Sequence, residues 1–338
     1  MNTTLITGAT GLVGSYLARY LLQQGKTVRC LRRSRSNMQL VADIAHQIEW
    51  VEADLLDYTA IAEAMEGVDD VYHAAALVSY APGMRQQLLQ VNVEGTANLV
   101  NACLELPVRK LLHVSSVAAI GRTGKPNEII TETGKWTSDA ATSDYALSKQ
   151  YAEREVWRGI AEGLQAVIVN PSVILGAGNW ENGSSRLFHT IYKGFPFYTD
   201  GATGFVDVRD VAKASIQLME SDIHSERFLL NGDNLKYKAV FDQMAAAMGV
   251  KGPTLHAGAF LSGLAWRTGV VQRWVTGKQP SVTKATARVA QQQYHFSSAK
   301  IQNTLGYQFI PLSTTIQDGA SAYLQYRQSG QTPALKLY

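Results

Sequence analysis

A tyrosine and a lysine, Tyr145 and Lys149, stand four residues apart in the stretch SDYALSKQYAE. In a helix that spacing puts both side chains on one face, one turn apart. Delivering hydride to a carbonyl leaves negative charge on oxygen, and that oxygen needs a proton donor. A phenol with its ordinary pKa of about 10 is a poor acid-base group at neutral pH. A neighbouring ammonium favours the phenolate and is expected to lower that pKa. Tyr145 then acts as acid and base. Lys149 acts as relay and can also donate to the ribose hydroxyls of a nicotinamide nucleotide. Alone, such a pair is more often an ordinary exposed helix pair. A third group must orient the carbonyl. The apolar run KLLHVSSVAAIG ends in Ser115 and Ser116. Side chains alternate along a strand, so one serine points into a crevice at the strand's end.

These residues need a frame. Short apolar runs (TTLITG, TVRCLRR, IEWVEADL, DDVYHAAA, RKLLHVSS, LQAVIVNPS) alternate with helical patterns. That pattern predicts an α/β fold, a parallel sheet with crossover helices on both faces. One long helix is expected through MRQQLLQVNVEGTANLVNACLEL. Its Asn92 has a structural or a site role in equal measure, since a mid-helix Asn often bonds backbone. The alternation weakens after residue 175. Residues 1–175 therefore read as a nucleotide-binding domain, and 176–338 as mainly a smaller substrate lobe. A segment near 205–233 returns to the first domain, with RFLLNGD rejoining the main sheet.

The first strand runs into LITGATGLVGSYLARYL, with Gly8, Gly11 and Gly14 three apart. Gly8 allows the tight turn, Gly11 lets backbone approach a pyrophosphate, and Gly14 lets helix pack close to strand. Thr10, Leu12 and Val13 complete the loop and the first helical turn, whose free N–H groups and dipole favour phosphate. The second strand ends in VRCLRRSRS, with Arg32, Arg33 and Arg35 and no acid. A carboxylate there would bond the adenosine ribose hydroxyls, whereas guanidinium groups suit a 2′-phosphate. NADP is expected in preference to NAD.

Of the 338 residues, 46% are apolar and 17% charged, with a net charge of +3. This composition suits a globular chain and argues against nucleic acid or an anionic membrane as main partner. Cys30 and Cys103 lack metal-ligand spacing, so neither a disulfide framework nor a metal site is expected, and a reducing cytoplasm fits. The N-terminus lacks a basic n-region and reads as mature structure, not a signal peptide. LHAGAFLSGLAWRTGVVQRWVTG is interrupted by Arg267 and Arg273. It reads as a helical hairpin or lid on the protein, with no membrane span.

The sequence resembles the extended short-chain dehydrogenase/reductase family over most of its length. The motifs are TGATGLVGS, ADLLD, HAAA at 73–76, VNVEGT at 91–96, HVSSVAAIG, YALSK, NPSVILG and GFVDVRDVAKA. The resemblance is strongest to its dihydroflavonol-reductase and 3β-hydroxysteroid-dehydrogenase branch. It implies a Rossmann-type doubly wound parallel sheet with a smaller C-terminal substrate-binding lobe. It further implies that Arg33 holds the phosphate, that Asp54 and Leu55 contact the adenine, and that Ala74, Ala75 and Ala76 line the cofactor groove. Pro171, Ser172 and Val173 would lie beside the nicotinamide. The family pattern places a serine five residues before the glycine that here is Gly121, which selects Ser116 to orient the carbonyl. A homodimer through the helices around 86–106 and 145–162 is also implied.

Substrate is expected to meet Val78 and Tyr80 in LVSYAPG, and Phe188 and Tyr192 beyond residue 175, in an apolar or aromatic pocket. His189 is a lone histidine and is expected to pack rather than catalyse. The main reading is an NADP-dependent oxidoreductase acting on a ketone, aldehyde or secondary alcohol. A nucleotide-sugar epimerase or dehydratase is the alternative, although FPFYTDGATGFVDVRD has no arginine before Arg209 to hold a diphosphate and leaves only Arg186 for that task. A cofactor-binding regulator without turnover is the third reading, and the intact Ser–Tyr–Lys set argues against it.

Overall fold

The computed structural model describes residues 3–122, 128–136, 142–258, 290–331 and 335–337. The lid or hairpin expected over the apolar segment lies almost wholly outside them, in 259–289.

Seven strands form one sheet: β1 (Thr3–Thr7), β2 (Thr27–Arg32), β3 (Glu49–Glu52), β4 (Asp70–His73), β5 (Lys110–Val114), β7 (Ala166–Pro171) and β11 (Glu226–Leu230). Their order is β11-β7-β5-β4-β1-β2-β3, and every pairing is parallel. This is the doubly wound arrangement of the Rossmann fold. Strand order reverses between the neighbours β1 and β4, and a crevice opens there at the carboxyl ends. All residues of β5 and β7 are buried, as central parallel strands covered on both faces must be. Their first charged residue is put to use: Lys110 donates to the carbonyls of Leu218 (2.6 Å) and Ser221 (2.8 Å), capping the helix α7 (Val208–Glu220).

Helices α1 (Leu12–Gln23) and α7 cover one face, burying Leu17, Leu21, Val211 and Leu218. Helices α2 (Tyr58–Ala64), α4 (Gly95–Glu105) and α5 (Asp144–Ala161) cover the other, burying Ile61, Leu99 and Val156. Cys30 and Cys103 are free thiols, one in each of these two layers. The long helix expected from residue 84 is not uniform. It runs as α3 (Arg85–Leu89), a π-helical turn over Gln90–Glu94, then α4.

Beyond β7, β8 (Val173–Leu175), β10 (Ala202–Asp207) and β12 (Asp233–Lys236) make a small sheet, order β12-β10-β8. It shares a core with α6 (Arg186–Tyr192), α8 (Tyr237–Ala247) and the C-terminal helix Leu312–Ser329, centred on Trp180, Phe188, Met244 and Tyr323. A buried ionic joint ties this lobe to the main sheet. Arg209 chelates Asp207 and reaches Asp318 on the C-terminal helix at 2.9 Å. Next to it, Asp210 accepts from the Tyr307 hydroxyl (3.0 Å) and the Ile310 amide (2.9 Å), and burial pushes its carboxyl up to about 6. Among the described residues no helix is long and apolar enough to cross a membrane, and no three His, Cys, Asp or Glu side chains group as metal ligands.

Candidate active site

The glycine loop closes β1 onto α1. Gly8 has φ +73°, a left-handed conformation, and a Cβ there would sit 2.6 Å from the Ala75 amide nitrogen. A Cβ on Gly14 would come within 2.2 Å of the Gly8 carbonyl oxygen, so helix and strand touch through backbone alone. Gly11 is the N-cap, and no side chain caps this helix end. Its amides therefore face the crevice with their hydrogen-bonding capacity open, which fits a pyrophosphate. Thr10, Leu12 and Val13 lie in this loop and first turn, and Ala74, Ala75 and Ala76 follow β4 directly across from it.

Farther along the carboxyl edge, an open pocket of about 510 Å³ lies between the ends of β2 and β3. Arg33 and Arg35 flank one side, Asp54 and Asp57 the other. Arg33 is exposed, and among the described residues it forms no ion pair. Asp54 accepts from the Leu56 amide at 3.0 Å, while Leu55 packs on Gly95.

The candidate reacting groups expected from the sequence lie at the end of β5 and on α5. Ser143 caps α5, accepting from the Ala146 amide at 3.1 Å, and Asp144 adds a favourable charge to the first turn. Tyr145 and Lys149 follow on one face of α5. Ser116 is the side-chain hydrogen-bonding neighbour of the Tyr145 phenol. Ser115 turns the other way, donating to Glu153 at 2.7 Å. Lys149 is buried, and its ammonium donates to the carbonyl of Val114 at 2.9 Å. Desolvation brings it down to about 8, with Glu153 pulling the other way.

The expected lowering of the Tyr145 pKa is corrected here. Burial raises the phenol above its ordinary value, and the bond from Ser116 is the one influence that lowers it. Lys149 spends a proton on Val114 rather than on the phenol. Tyr145 therefore rests protonated, as a proton donor.

Several site residues escaped the sequence reading. Glu153 lies one turn beyond Lys149 and is buried. Its carboxylate accepts from Ser115, from Asn170 Nδ2 (2.7 Å), from Trp157 Nε1 (3.3 Å) and from Arg227 Nη1 (2.9 Å). Asn170 also donates to the Ser116 carbonyl at 3.0 Å. Glu153 thereby pins β5, β7 and β11 to α5 beneath the site. The helical spacing 145–149–153 was the available signal. Two neutral histidines lie under Lys149. His73 and His113 have ring centroids 5.1 Å apart, and desolvation with the lysine's charge lowers both, His73 to about 3. Asn92, in the π-turn, donates to the Leu77 carbonyl (3.0 Å) and Ser148 Oγ (2.9 Å) and accepts from the Leu77 amide (2.7 Å). It clamps the loop after β4 to α5.

Pro171, Ser172 and Val173 lie where β7 leaves the sheet. The hydroxyl of Ser172 is buried without a partner among the described residues, an orphaned polar group beside the crevice. Together with the glycine cradle it fits a bound nicotinamide nucleotide.

On the substrate side, Tyr80 reaches the reacting phenol, with ring centroids 5.3 Å apart. Val78 is largely exposed. Phe188 is a correction: it is wholly buried in the second lobe's core, edge-on to Trp180, and against Gly319. Tyr192 is half-buried against Tyr323. Tyr294 carries the Arg122 guanidinium over its ring, and Tyr237 feels the charge of the same arginine.

The sheet, with a glycine loop at its switch point, is that of an NAD(P)-binding α/β enzyme. The chain belongs to the NAD-dependent epimerase/dehydratase family, whose model matches residues 4–230, and it is an oxidoreductase of the extended short-chain dehydrogenase/reductase type. It is similar to sterol demethylase protein B of Methylococcus capsulatus, 34% identical over 75% of this chain and 76% of that protein. It is 27% identical to a putative dihydroflavonol 4-reductase of Synechocystis over 96% and 94% of the two chains. The crystal structure of gox2253 superposes with a TM-score of 0.81 at 32% identity, covering 99% of this chain and 100% of that one.

Proposed function

We propose that this protein is an NADP-dependent reductase that transfers hydride between nicotinamide and a ketone, aldehyde or secondary alcohol. The observation that carries the reading is the gathering of Ser116, Tyr145 and Lys149 at the carboxyl end of β5, where Lys149 donates to the Val114 carbonyl one helical turn from Tyr145. NADPH supplies the hydride when bound. Ser116 and Tyr145 hold the substrate oxygen between two hydroxyl donors, and Tyr145 gives it a proton as negative charge develops. Lys149 then stabilises the phenolate left on Tyr145 and takes part in returning a proton to it. Arg33, exposed and outside any ion pair among the described residues, is suited to a 2′-phosphate at the ribose end of the groove. The reductase named among the relatives supports the same reading. The reading extends to a homodimer through the layer of α3, α4 and α5, whose outer face exposes Tyr151.

A screen of carbonyl compounds followed by loss of NADPH absorbance tests the reaction. A substrate that reacts while NADPH stays constant would assign the protein to the epimerase or dehydratase chemistry instead.

A further inference from the structure

Arg122 follows Gly121 just beyond the serines, at a point where four elements meet. Its guanidinium carbon lies over a ring, 4.0 Å from the centroid of Tyr294 and 6.0 Å from that of Phe296. Among the described residues its one side-chain hydrogen bond is long, 3.4 Å from Nη2 to the carbonyl of Val117, the residue after Ser116. Among the described residues no carboxylate pairs with it, although most arginines that are partly buried here have one, as Arg19, Arg209 and Arg227 do. A guanidinium carries five N–H donors in a planar fork. Stacking on an aromatic face leaves the edge of that fork free for a planar acceptor.

The fork is tied to the carbonyl of the residue after Ser116, and two tyrosines near Tyr145 feel its charge. Tyr80 comes from the loop after β4 and touches Tyr145. Tyr237 opens α8, its ring 6.0 Å from Phe205. The charge of Arg122 acts on both of these phenols, pulling against the burial that raises them, Tyr237 to about 12. Lys149 is the other cation at the centre. Glu153, the nearest buried acid, faces away and is saturated by four donors. Arg122 and the rings of Tyr80 and Tyr294 are thus a cation and aromatic groups close to Ser116 and Tyr145 in the fold.

We propose that Arg122 forms an anion subsite of this centre, and that the carbonyl substrate carries a carboxylate on an apolar or aromatic body. The inference deepens the reductase reading and rests on it for the substrate's reacting group, but not for anion binding as such. Aromatic rings of Tyr80, Tyr237 and Tyr294 would hold the body, and the fork of Arg122 the carboxylate.

Two measurements separate the two ideas. In the first, benzoate and benzamide are titrated calorimetrically into the NADP complex. Benzoate should bind and benzamide should not, and Arg122→Met should weaken benzoate by roughly 10- to 100-fold, the range for charged hydrogen bonds. Arg122→Lys should restore part of it. NADP affinity, measured in parallel, reports that each variant is folded. Equal binding of the two probes, or benzoate binding unchanged in Arg122→Met, overturns the subsite. In the second, kcat/KM is compared for carboxybenzaldehyde and its methyl ester. The acid should be preferred, mainly through KM, and the acid-to-ester ratio should fall toward one in Arg122→Met. A ratio that stays constant while both substrates lose activity would reduce Arg122 to a tether on Tyr294. Benzoate binding without reduction of any aldehyde would sustain the subsite and defeat the reductase reading.

Discussion

At neutral pH Tyr145 carries its proton, because burial outweighs the bond from Ser116. That is the state needed to protonate an alkoxide. Tyr145→Phe should lower kcat by roughly a hundredfold to ten-thousandfold, the usual worth of a positioned general acid. NADP should still bind, and a variant with full turnover would remove Tyr145 from the mechanism. Lys149 is held below its ordinary value, at about 8 against 10.5. Its charge is thus less favourable in the folded chain than in the unfolded one. Below about 8 both states are protonated and the penalty, about 3 kcal/mol by linkage, is complete. Between about 8 and 10.5 the folded state has released the proton while the unfolded state keeps it, so stability rises with pH. Denaturant titrations should show that rise in the wild type and its loss in Lys149→Met. Parallel curves for the two would contradict the burial argument. At the far end of the groove, Arg33→Asp should move cofactor preference from NADP toward NAD in competition kinetics. Unchanged selectivity would exclude a phosphate role for Arg33.

At the scale of elements, α5 is the instrument. Ser143 and Asp144 start it, and Tyr145, Lys149, Glu153 and Trp157 recur every four residues along one face. Glu153 converts that face into a joint with three strands. Glu153→Gln would leave Arg227 without its buried counter-charge, a loss of about 3 kcal/mol of stability. It should also lower the Lys149 pKa further, since Glu153 is what raises it, moving the alkaline limb of the rate profile to lower pH. A rate profile left in place would make Glu153 a purely structural residue. The helix was legible from its cap and periodicity. The π-turn at Gln90–Glu94 was not, because what holds it is the clamp from Asn92 to Leu77 and Ser148, 15 and 56 residues away in sequence. Local propensity carries no trace of such partners.

Over the whole molecule, the core around Trp180 and the main sheet meet where Arg209 bridges Asp207 and Asp318. Tyr80, from the loop after β4, is in ring contact with Tyr145. The outer face of α5 exposes Tyr151, which a dimer formed through α3, α4 and α5 would cover. Light scattering at micromolar concentration should show a dimer. A monomer alone would place the exposed face of α5 in solvent.

The sequence by itself determined the parallel sheet, the glycine loop and the Tyr–Lys pair, because each rests on neighbours within a strand, a turn or a helical repeat. Tertiary structure decided the rest. It turned Ser115 toward Glu153, moved Phe188 into the core, and gave Tyr145 a raised rather than a lowered pKa. Each of those depends on desolvation and on partners brought from distant elements, and neither quantity exists until the chain has folded.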